Sequence, residues 1–95
     1  MSVFVEIVQN PRRVDNLDIN PAEDGFIIYQ PEQDRVHFLN PTAVLILELC
    51  DGARSPREIA GLVQEAYGLT EPPVQAVDEA LEKMGSEGLL LAESE

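Results

Sequence analysis

The stretch from Asn40 to Gly52 constrains the fold of this chain more than any other. Asn40-Pro41 opens a helix: the asparagine caps it, and proline at the first helical position gives up an N–H that would have no partner there. From Thr42 to Asp51 only Glu48 and Asp51 are charged, while Ala43, Val44, Leu45, Ile46, Leu47, Leu49 and Cys50 are apolar. A helix apolar on nearly every side has to be wrapped by the rest of the chain. With 95 residues there is material for one such wrapping. The expectation is therefore a single domain over residues 1–95, centred on this helix and ended by Gly52 in a left-handed conformation.

The pattern differs on the two sides of that helix. Before it, the period is that of strands. Val3 to Val8 reads as a short strand stopped by Asn10-Pro11, and Leu17 to Asn20 as a weaker one followed by turn residues Pro21 to Gly25. Gly25 to Gln30 and Arg35 to Leu39 are rich in branched and aromatic residues, and Pro31 to Asp34 has the length of a four-residue hairpin loop. After the central helix the period is helical. Ser55-Pro56-Arg57-Glu58 is a capping box, followed by Ile59, Leu62, Val63, Ala66 and Tyr67 on one stripe up to Gly68. Thr70 to Pro73 opens a third helix with Val74, Val77, Ala80, Leu81 and Met84 on one face. Gly88 stops it, and Leu89 to Ala92 reads as a closing strand, the wing. The expected class is α+β: a winged helix-turn-helix with an N-terminal β-hairpin or three-stranded sheet and three α-helices.

A helix-turn-helix raises the question of DNA, and charge answers it. Six basic residues stand against eighteen acidic ones, a formal net charge of −12. Duplex binding needs Lys and Arg against phosphates. The would-be recognition helix offers Lys83 against Glu71, Asp78, Glu79, Glu82 and Glu87, so nucleic acid is not the expected partner. Nor is a membrane: no apolar run approaches the roughly 20 residues of a span. The first residues carry no signal-peptide pattern and Cys50 is the single cysteine, both of which fit a cytoplasmic protein.

Catalysis finds little support. His37 is the one histidine, so it has no second imidazole for a base or metal pair, and it reads as a strand residue on the surface or in a groove. Cys50 among aliphatics reads as a buried thiol. The acids lack calcium-loop spacing and the glycines form no phosphate loop. No catalytic residue, metal or cofactor is expected. Arg12-Arg13, the one basic pair, reads as a solvated pair or a dock for an acidic partner.

Leu39-Asn40-Pro41-Thr42-Ala43, Ile46 to Gly52, Ser55 to Ile59 and Leu62 to Tyr67 together resemble the PqqD-like proteins. These are coenzyme PQQ synthesis protein D and related recognition elements for ribosomally made precursor peptides, and the likeness runs from about Val14 to Leu91. It implies a non-catalytic peptide chaperone that binds a precursor's leader by strand addition. The module would present that leader to a radical S-adenosylmethionine enzyme or another peptide-modifying enzyme, in the PQQ pathway or another. By the same resemblance the leader lies along the strand Arg35, Val36, His37 and Phe38, facing the third helix within Val74 to Met84. Val77, Asp78, Leu81 and Glu82 are the positions expected to meet it there.

Elementary physics suits this role. An edge strand offers N–H and C=O groups to a second chain, and pockets at alternate positions supply selectivity. Asp34, Asp78, Glu79 and Glu82 are expected to favour basic guest residues. The same edge leaves two other readings open, a homodimer paired through it and a generic adaptor whose groove binds a folded enzyme.

Overall fold

The computed structural model describes residues 10–91; the expected strand Val3 to Val8 lies outside them. Within them, β1 (Asp18–Pro21), β2 (Phe26–Gln30) and β3 (Arg35–Leu39) form an antiparallel meander in the order β1-β2-β3. Three helices follow: α1 (Pro41–Leu49), α2 (Pro56–Tyr67) and α3 (Val74–Ser86). This is the expected α+β arrangement, a sheet ahead of a three-helix, helix-turn-helix body.

Register follows from which residues can be buried. Ile28 pairs with His37 and Phe26 with Leu39, and this parity faces the helices; Ile27 pairs with Phe38 and Tyr29 with Val36, and this parity faces away. The β1–β2 turn demands glycine at residue 25. A Cβ built there would lie 2.4 Å from the Leu39 carbonyl oxygen and 2.9 Å from the Phe38 ring.

α1 sits at the centre, packed against α2, α3 and β3, with Val44, Ile46 and Leu47 buried. Ile28 and Leu39 cover it from the sheet, Ile59, Ala60 and Val63 from α2, and Val77 and Met84 from α3. Asn40 caps it by accepting from the Ala43 N–H at 2.8 Å. Ser55 and Glu58 exchange both capping-box bonds at the start of α2, and Gly68 ends that helix with φ +64°. α3 begins at Val74 without a side-chain cap.

Two details differ from expectation, for one reason. α1 stops at Leu49, short of Gly52, because the next residues are paired elsewhere. The Cys50 carbonyl accepts from Arg13 N–H, and the Gly52 N–H donates to the Pro11 carbonyl, both at 2.9 Å. Gly52, at φ +84°, makes the turn after that pairing. The expected closing strand is a single bridge, Arg13 to Leu90, flanked by bonds from Val14 N–H to Leu89 and from Leu91 N–H to Arg12; Ala92 lies outside the described residues. Residues 11–14 are thus threaded between residues 50–52 and 89–91. Arg12-Arg13 therefore serves the fold through its backbone, with the Arg13 guanidinium 3.8 Å from Glu48.

Candidate functional site: the edge of β3 and its groove

β3 pairs with β2 on one side, and among the described residues no strand pairs with the other. Beside it opens a cavity of about 420 Å³ between the end of β3, the start of α1 and one face of α3. Leu39, Ile46 and Met84 are its buried floor. Ala43, Ala76 and Ala80 leave the space, and Phe38, Asn40, Thr42, Glu79 and Lys83 border it.

The strand residues singled out from sequence divide between the two faces of the sheet. Val36 and Phe38, 65% and 55% exposed, project away from the helices, although Phe38 still borders the cavity. Arg35 is exposed at the hairpin end of the strand. His37 is buried, so its side chain is no surface contact. Its Nε2 lies 3.0 Å from Gln30 Oε1 and its Nδ1 3.7 Å from Glu87 Oε1.

On α3 the cavity meets a different face from the one expected. Ala76, Glu79, Ala80 and Lys83 line it, at the i, i+3, i+4, i+7 spacing of one helical stripe. Val77 is 1% exposed in the core, and Leu81 is half-buried against it. Asp78 and Glu82 are exposed and lie on the far side of the helix, roughly 110–150° round at about 100° per residue. The rotation that buries Val77 in the core turns Asp78 and Glu82 away from the strand and presents the neighbouring stripe to it. Ala76 and Ala80, small residues one turn apart, were the available signal. Of the four acids expected to select basic guests, Glu79 alone lines the cavity, and Lys83 stands on the same stripe. Gln30, a polar residue at the core parity of β2, is buried, and the alternation of that strand is the signal for it.

Groups with reactive potential lie elsewhere. Cys50 is 1% exposed and its thiol donates to the Ile46 carbonyl at 3.1 Å. Burial, aided by the adjacent Asp51 charge, pushes it up to about 11, so it is a thiol and not a thiolate. Asp51 is held below the usual carboxylate range, chiefly by the Ala53 N–H and further by Arg54. Among the described residues no group of three or more His, Cys, Asp or Glu is placed to hold a metal, and no helix is long and apolar enough to cross a membrane.

Known proteins share this fold. The fold is similar to that of a lasso peptide synthetase B1 solved in complex with the leader peptide, with TM-score 0.68 and 18% identity over 87% of this chain and 99% of that one. It is also similar to the PqqD truncation of Methylobacterium extorquens PqqCD, described as a functional, stand-alone recognition element for ribosomally synthesized and post-translationally modified peptides. That match has TM-score 0.63 and 22% identity, over 86% of this chain and 88% of that one. No curated protein matches the sequence. The family model for coenzyme PQQ synthesis protein D (PqqD) matches residues 25–90, from the turn before β2 to the bridge after α3. The chain belongs to the PqqD family.

Proposed function

We propose that this protein is a non-catalytic recognition module that captures the leader of a ribosomally made precursor peptide and presents it to a peptide-modifying enzyme. One observation carries this: the outer edge of β3, without a partner strand among the described residues, runs beside an apolar-floored cavity of about 420 Å³. A guest strand added to β3 gains backbone hydrogen bonds worth roughly 0.5–1.5 kcal/mol each, which give affinity without sequence choice. Choice comes from its alternate side chains. Those turned toward α3 meet Ile46, Met84, Ala76 and Ala80, a space suited to a bulky apolar residue. The guest contacts are thus the backbone of Arg35 to Phe38 and the α3 stripe Ala76, Glu79, Ala80 and Lys83. The two similar structures supply independent support, since one holds a leader peptide and the other is a recognition element. The enzyme served is a radical S-adenosylmethionine protein or another tailoring enzyme.

The test uses synthetic peptides from short open reading frames encoded near this protein's gene, screened for binding, with single backbone N-methyl groups then placed along the one that binds. Strand addition predicts weakened binding at every second position and little change between. Titrated into 15N-labelled protein, the unmodified leader should shift amides of residues 35–38 and of Ala76, Glu79, Ala80 and Lys83. An N-methyl profile without a period of two would sink the proposal.

The outer sheet face favours a second reading, docking of a folded partner enzyme. Ile27, Val36 and Phe38 are all exposed there, a patch for which the fold alone gives no reason. Ile27→Lys separates the two readings, because Ile27 is on β2, off the guest edge. It should leave leader binding unchanged and weaken an enzyme docked on this face. A homodimer through β3 would bring two chains of formal charge −12 together, so we expect monomers in sedimentation at physiological salt.

A further inference from the structure

His37 is the most deeply buried ionisable side chain on the sheet, with 7% of it exposed. Its hydrogen bonds can be assigned from one end. The Gly88 carbonyl only accepts, so Gln30 Nε2 donates to it, at 2.9 Å. That orients the amide and turns Gln30 Oε1, an acceptor, toward His37 Nε2 at 3.0 Å. His37 therefore carries a hydrogen on Nε2. In a neutral imidazole the other nitrogen, Nδ1, is then a bare lone pair. What faces Nδ1, at 3.7 Å, is Glu87 Oε1, a carboxylate oxygen buried with no hydrogen-bond donor of its own. Two acceptors would confront each other in a buried place, which structures avoid. One proton on Nδ1 removes the conflict: the ring still donates from Nε2 to Gln30, and its positive charge faces the Glu87 carboxylate at ion-pair distance.

We infer that a protonated His37 and the Glu87 carboxylate form an ion pair, a proton-dependent clasp between β3 and the C-terminal end of α3. His37 is on the proposed guest strand and Glu87 is the residue that caps α3. The clasp thus spans the two walls of the groove and fixes their separation. His37 is a positioning residue: it acts on a guest through the placement of β3, without touching it. This role rests on the proposed capture of a peptide, whereas the clasp itself does not.

The surrounding charges are few. From β2 the facing groups are Gln30 and Ile28, neither of which titrates. On β3, Arg35 shares the parity of His37 two residues away. From α3 come Glu87 and, one turn earlier, Lys83, whose carbonyl accepts the Glu87 N–H.

His37 is the single histidine, so its ring nitrogens give uncrowded signals in 15N-histidine-labelled full-length protein. At about pH 6 both nitrogens should carry hydrogen in the wild type. In Glu87→Ala the Nδ1 hydrogen should be lost at the same pH. Glu87→Gln supplies a neutral amide donor of its own, so the ring should be neutral there while the clasp persists. Exchange of the Gly88 and Leu89 amides reads the clasp itself: faster in Glu87→Ala, and near wild type in Glu87→Gln. Equal ring protonation in the wild type and Glu87→Ala, or a wild-type ring with hydrogen on Nδ1 alone, overturns the clasp. For the positioning role, wild-type affinity for the synthetic leader should fall about threefold to tenfold from pH 6 to pH 8, and that of Glu87→Gln should stay flat. If the ring results hold and both affinities are flat, the positioning role is wrong. If no leader binds at any pH, the capture proposal and the positioning role both fall, and the clasp stands on the ring and exchange results.

Discussion

Cys50 and Gly25 show how much a single position in a small domain can carry. The Cys50 thiol is held up to about 11, against an ordinary value of 9.0, chiefly by burial. As pH rises past the ordinary value, the unfolded chain sheds this proton first and the folded chain later. Stability from this group is therefore intact below about pH 9 and declines toward pH 11, by up to about 3 kcal/mol. Urea midpoints measured at pH 8 and at about pH 10.5 should show the decline, and Cys50→Ala should flatten it. The native thiol should resist a disulfide reagent that reacts at once after unfolding. At Gly25 the constraint is steric. Its missing Cβ lets the turn pass against the Leu39 carbonyl, so Gly25→Ala should cost about 1–3 kcal/mol, read as a lower thermal midpoint.

At the scale of elements, local chemistry sets the helix starts and tertiary pairing sets some of the ends. Ser55→Ala removes the oxygen that accepts the Glu58 N–H and should cost about 1 kcal/mol, measurable in denaturant. The caps at Asn40 and Ser55, the hairpin from Phe26 to Leu39 and the central place of α1 were all legible in the sequence, because each depends on residues within one turn or one strand pair. The end of α1 was not legible. It depends on Pro11 and Arg13, nearly forty residues away, and nothing within Leu45 to Gly52 reports them. The same holds for the groove. Its edge, Arg35 to Phe38, is implied by the family resemblance, and the rotation of α3 is fixed by what Val77 and Met84 fill beneath α1. Periodicity marks the buried stripe of a helix; it does not show which of the two flanking stripes turns toward a neighbouring strand.

For the whole molecule, the acidic surface and the apolar groove belong to different parts of recognition. A formal charge of −12 affects how fast a basic guest arrives and how strongly copies repel. In the proposed capture the cavity would decide what stays, and its lining includes one acid, Glu79, with Lys83 on the same stripe. Salt should therefore slow association of a basic leader while leaving its dissociation rate nearly unchanged, which stopped-flow fluorescence at two ionic strengths can separate.

The threading of residues 11–14 between residues 50–52 and 89–91 also has an architectural consequence. Because Leu91 N–H donates to the Arg12 carbonyl at 2.8 Å, the described chain enters and leaves through a single doorway. A module whose two described ends lie side by side has the geometry for insertion into a surface loop of a larger protein or for attachment at either terminus. The proposed capture surface would travel with the module in either setting.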